Sequence, residues 1–103
     1  MRSLIGGFTL AWFFCTNAIA VAGDADNGLR LARRWCASCH IVTGGQARAS
    51  DAVPAFASVA ARKDFNADKI AAFLLNPHPI MPNMSLTRDE ANDIAAYIAT
   101  LRR

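Results

Sequence analysis

The sequence predicts an all-α domain, and three observations carry that expectation. Apolar residues recur at helical spacing in separate stretches. No stretch alternates apolar and polar residues as a half-buried strand would. The stretches are punctuated by residues that start and stop helices.

Asp24 or Asp26 caps a first helix that runs through Gly28 to about Cys39. It places Leu31, Trp35 and Cys39 along one face and Leu29, Ala32 and Cys36 along the next, and leaves Arg30, Arg33 and Arg34 on the remaining side. Gly44 and Gly45 mark a loop, after which Pro54 starts a short helical stretch through Phe56 and Val59. Asn66 caps a third helix with Ile70, Phe73 and Leu74 inward, and that helix stops near Asn76 because Pro77 follows. Pro77, Pro79 and Pro82 forbid a regular helix from Asn76 to Ser85. Thr87 and Glu90 then form a capping box for the last helix, in which Ile94, Tyr97, Ile98 and Leu101 follow one face. No repeat or linker divides the chain, so one domain is expected.

Cys36-Ala37-Ser38-Cys39-His40 carries the chemistry. Two thiols three positions apart can each form a thioether to a haem vinyl group, and a histidine directly after the second can turn its ring to the iron. The motif therefore points to one covalently bound haem c, with Cys36 and Cys39 as attachment points and His40 as the proximal iron ligand. A zinc site competes for the same letters, but only Cys15 and His78 remain as further cysteine or histidine ligands. A redox-active dithiol wants a strand–helix setting that is absent from the pattern.

The first twenty-two of the 103 residues read as a secretory signal: Arg2, an apolar run from Leu4 to Phe14, then Ala18, Ala20 and Ala22. Cleavage is expected after Ala22, with Ala20 as the other candidate position. The domain proper would then be residues 23–103. An uncleaved leader would give the chain its only membrane contact, although Thr16 and Asn17 interrupt the run short of the ~20 residues a span needs. Export suits the motif, because it delivers two thiols to the haem outside the cytosol.

Without the leader about eighty residues remain, too few to bury a generous core unaided. A covalently held haem supplies the missing core. The formal net charge of +3 is modest, and nucleic acid is not an expected partner.

Met81, Met84 and His78 are the candidates for the second axial position, all within the proline-stiffened segment. A thioether is a soft ligand that favours reduced iron and raises the potential relative to a second histidine. With both axial positions filled, such an iron passes electrons and does not readily bind substrates.

Taken together, these residues resemble a small bacterial class I cytochrome c with a single His/Met haem. The resemblance spans residues 23–103: Gly28 ahead of the Cys36–His40 motif, the Pro54 loop, the Met81-Pro82 pair ahead of Leu86-Thr87, and Tyr97 on the last helix. It implies a fold of about four helices wrapped around the haem, with Met81 as the distal ligand and Met84 as the runner-up, in a packing role. It also implies that the carbonyl of Pro54 accepts a hydrogen bond from His40, although Val53 stands where a glycine is common. Gly28 and Tyr97 match the crossing of the first and last helices, and Trp35 and Phe56 match core positions against the porphyrin.

The expected function is that of a periplasmic single-electron carrier and not an enzyme. Its partners would be redox proteins, such as a membrane respiratory complex, an oxidase or a dehydrogenase, met as a monomer or in transient complexes. A dedicated cytochrome subunit of a periplasmic dehydrogenase is the alternative. A gas-binding or peroxidatic protein would need an open sixth position. Arg62 and Lys63, with the Arg30, Arg33 and Arg34 stripe, are candidate docking charges.

Overall fold

The computed structural model describes residues 6–7, 9–15, 23–46, 49, 52–77 and 79–103. The expected cleavage residues Ala18, Ala20 and Ala22, and the candidate ligand His78, lie outside them. Within the expected leader, residues 9–15 carry no helix, and Leu10, Trp12, Phe13 and Phe14 are exposed. Among the described residues no helix is long and apolar enough to cross a membrane.

Four helices make up the described secondary structure: α1 (Ala25–Trp35), α2 (Phe56–Ala60), α3 (Ala67–Leu75) and α4 (Arg88–Thr100). No described residue is in a strand. Three of the four helices start where their side-chain caps dictate. The Asp24 carboxylate accepts from the Asn27 N–H at 3.0 Å, Asn66 from Lys69 N–H at 3.0 Å, and Thr87 from Glu90 N–H at 3.1 Å. The Glu90 carboxylate completes the capping box by accepting from the Thr87 N–H at 3.0 Å.

Helix α1 is shorter than the sequence suggests. It ends at Trp35, and the chain from Cys36 to Cys39 is a turn in which the N–H groups of Cys39 and His40 both donate to the Cys36 carbonyl. Helix α2 begins two residues after Pro54, because Ala55 is extended (φ −66°, ψ 148°). Helix α3 ends before Pro77, whose ring forbids helical geometry at Asn76.

The core lies where α1 and α3 pack on α4. Leu31 and Ala32 of α1 meet Ala91, Ile94, Ala95, Tyr97 and Ile98 of α4, with Phe56, Ala60, Ala71 and Leu74 closing the sides. A polar seam locks the same crossing: Asp93 accepts from the Asp24 N–H and from the Asn27 side-chain amide, both at 2.7 Å. The Arg30 guanidinium in turn donates to the Asn27 side-chain oxygen, so this member of the arginine stripe serves the helix crossing. At the far end Arg102 donates to the carbonyls of Ala60 and Arg62 and lies over the Phe65 ring, tying the chain end to α2.

One expected inward position, Phe73, is only partly buried, and Trp35 stands at the cavity, where a residue against the porphyrin is expected. Trp35 is 43 % exposed and Phe73 is 40 % exposed. Both line a cavity bounded by the Cys36–His40 turn and α3. Phe56 is buried, as expected.

Candidate functional site

A cavity of about 610 Å³ opens between the Cys36–His40 turn, the Pro54 segment, α3 and the proline-rich segment before α4. Its size falls within the roughly 300–1,000 Å³ common for cofactor and small-molecule sites. Phe56, Val59, Phe65, Ile70, Leu74 and Ile98 give it apolar walls. Cys36, Cys39, His40, Met81 and Met84 all line it, so the fold gathers every described site residue that the sequence singled out.

The end of α1 positions the two thiols. Cys36 is the C-cap, its N–H donating to the Ala32 carbonyl, and its side chain is buried. One turn later Cys39 is exposed. Burial pushes the Cys36 thiol up to about 11, and the neighbouring Cys39 adds to the shift. Before haem attachment Cys36 is therefore a neutral thiol at physiological pH.

His40 is held on two sides. Its Nδ1 lies 2.6 Å from the Pro54 carbonyl oxygen. A carbonyl only accepts, so Nδ1 carries the proton and Nε2 keeps its lone pair free for a metal. The Phe56 ring packs against the imidazole with centroids 5.3 Å apart and a tilt of 49°. Phe56 N–H also donates to the Ile41 carbonyl at 3.0 Å, which joins the start of α2 to the residue after the histidine. Val53 before Pro54 does not prevent the expected contact.

Gln46 is the residue that the sequence reading missed. Its side-chain amide donates to the carbonyls of Ala37 at 2.9 Å and His40 at 2.8 Å, and its oxygen accepts from the Val42 N–H at 2.9 Å. The Val42 carbonyl accepts from the Tyr97 hydroxyl at 2.5 Å. Beside two glycines, Gln46 looks like ordinary loop polarity, and nothing in its local pattern announces three bonds back to the main chain of the Cys36–Val42 stretch.

At the mouth, Arg62, Asp64, Asn66 and Lys69 add polar groups, and the Arg34 guanidinium lies 4.8 Å from the Trp35 ring centroid. Ile80 is 90 % exposed beside Met81.

The residues fit a haem. Two thiols, an imidazole with a free Nε2 and two thioethers share one apolar cavity, whereas a buried ionic cofactor would want charged walls. A haem bound there would supply reversible one-electron chemistry at its iron.

Comparison with known proteins agrees. Residues 23–98 match the family model described as cytochrome c oxidase, cbb3-type, subunit III. A cytochrome c-552 of Bradyrhizobium diazoefficiens is 60 % identical over 87 residues, covering 84 % of each chain. No solved structure matches the chain. The chain belongs to the cytochrome c family, as a small class I monohaem c-type cytochrome that carries electrons through a covalently bound haem c.

Proposed function

We propose that this cytochrome is a periplasmic carrier of single electrons whose iron is closed by His40 and Met81. Cys36 and Cys39 form the two thioethers, the Nε2 of His40 is the proximal ligand, and Met84 packs beside the ring. The observation that carries this reading is the 2.6 Å contact between His40 Nδ1 and the Pro54 carbonyl at the wall of the shared cavity. That contact fixes the tautomer a metal ligand needs and raises the basicity of the imidazole.

Residues 1–22 act as the export signal, cleaved after Ala22, so that the thiols meet haem outside the cytosol. The apolar run and the alanines at positions 18, 20 and 22 support this. Arg62 and Lys63 lie in the segment between α2 and α3 and Lys69 in the first turn of α3, with Arg62 and Lys69 at the cavity mouth, and they form the charged part of the docking edge. Partners are membrane respiratory complexes, an oxidase or a dehydrogenase, met transiently.

The matching family is that of an oxidase subunit, which supports a second reading, a dedicated cytochrome subunit of a larger redox complex. Both readings are tested on the exported holoprotein. A closed carrier titrates as a reversible one-electron couple, binds no carbon monoxide when reduced, exchanges electrons with respiratory membranes and elutes alone. Stoichiometric carbon monoxide binding would overturn the closed iron. Persistent co-purification with a catalytic chain would replace the free carrier by the subunit.

A further inference from the structure

Both carbonyls that Gln46 holds lie beyond the last residue of α1, where helical hydrogen bonding no longer serves the main chain. They also lie at two informative places: Ala37 directly follows the first attachment cysteine, and His40 is the proposed ligand. One primary amide group grips both. Its oxygen takes the N–H of Val42, so three of the four bonds that a glutamine side chain can make are used. The two carbonyls can only accept and the Val42 N–H can only donate, so the amide has a single orientation in this network.

The same network reaches α4. Tyr97 donates to the Val42 carbonyl, and its Cβ lies beside the place where Gly28 of α1 meets the Asp93 main chain. The main chain from Ala37 to Val42 is thereby fixed to the helix crossing through Gln46 and Tyr97, while the His40 ring is fixed by Pro54 and Phe56.

We propose that Gln46 is a positioning residue for the haem iron: by clamping the Ala37 and His40 carbonyls it sets the orientation of the His40 imidazole, and with it the electronic state and potential of the iron. This inference rests on His40 being the proximal ligand. Loss of the amide frees the Ala37 and His40 carbonyls and leaves the His40 main chain tied by its N–H to the Cys36 carbonyl alone, so the ring reorients about its Pro54 and Phe56 contacts. A residue that only stabilised the fold would lower the melting temperature and leave the iron unchanged.

The test compares oxidised holoprotein of the wild type, Gln46→Ala and Thr87→Ala by paramagnetic proton NMR and potentiometric titration. Thr87→Ala removes the α4 cap, far in sequence from the turn, and serves as the control for simple destabilisation. Gln46→Ala is expected to displace the hyperfine-shifted imidazole resonances and shift the midpoint potential, while Thr87→Ala lowers the melting temperature and moves neither. Gln46→Glu keeps the acceptor for Val42 and removes both donors. It is expected to displace the same resonances, and it is read in place of Gln46→Ala if that variant yields too little holoprotein. Resonances and potential that move no more in the Gln46 variants than in Thr87→Ala overturn the proposal. Absence of hyperfine-shifted histidine resonances in the wild type would instead sink the His40 assignment itself.

Discussion

Gly28 of α1 lies against the main chain of α4 at Asp93, so close that a Cβ there would overlap the Asp93 carbonyl and come within 2.9 Å of the Tyr97 Cβ. This contact sets the separation of α1 and α4, which each give one residue, Trp35 and Ile98, to the cavity's lining. Because the obstacle is backbone, no rotamer change relieves it.

Gly28→Ala should therefore destabilise the holoprotein even though alanine is the better helix former. Overpacking costs typically about 1–3 kcal/mol, against a gain near 1 kcal/mol in helix propensity. With an obstacle made of backbone the steric cost falls at the upper end, which leaves a net loss of about 1–2 kcal/mol. Thermal melting should show a fall of about 4–8 °C for each kcal/mol lost, as expected for a domain of this size. An unchanged or raised melting temperature would mean that the helices separate without cost.

Tyr97→Phe should cost about 1–3 kcal/mol by leaving the buried Val42 carbonyl without its donor. Burial raises the Tyr97 phenol above its ordinary value of 10.0, with Arg33 pulling weakly the other way. The raised value means that the folded state favours the neutral phenol. Its contribution is complete below pH 10.0 and is lost as pH rises through the higher folded value. Melting curves from neutral to strongly alkaline pH should show a constant gap between wild type and Tyr97→Phe that narrows above that range. A gap that widens with pH would reverse the assigned sign.

Reversing the charge at Arg62 and Lys63 together should slow association with respiratory membranes roughly tenfold at low ionic strength. The difference should fade toward about 0.15 M salt, where the Debye length is short. Stopped-flow reduction at several salt concentrations reads this directly. Equal rates at low salt would remove both residues from the docking edge. The Arg62 carbonyl, which receives the Arg102 bond, is unaffected by either substitution.

The parts of this fold that were legible in the sequence are those governed by local chemistry. Asp24, Asn66 and Thr87 declare their helices because a cap and its N–H lie within three residues. Cys36, Cys39 and His40 declare the cofactor through spacing alone, and the His40–Pro54 contact followed from family resemblance. Asp93 and Arg102 were not legible, because their bonds join residues that only the finished fold brings together, and Gln46 was not, because its loop has no periodic pattern that says which way the side chain folds back. Trp35 was legible through the family resemblance and not through its spacing. Helical spacing puts it on an apolar face but does not say whether that face meets protein or the cavity. Met81 and Met84 line the same cavity, and Met81 also packs against the core cluster, so their roles separate only at the iron.

The central claim is that Met81 closes the iron opposite His40, and the oxidised absorption spectrum tests it most directly. A methionine sulfur on ferric haem gives a weak charge-transfer band near the red end of the visible range. Met81→Ala holoprotein should lose that band and gain affinity for carbon monoxide when reduced, while Met84→Ala should keep the band. Retention of the band in Met81→Ala together with its loss in Met84→Ala would contradict the account and move the ligand to Met84.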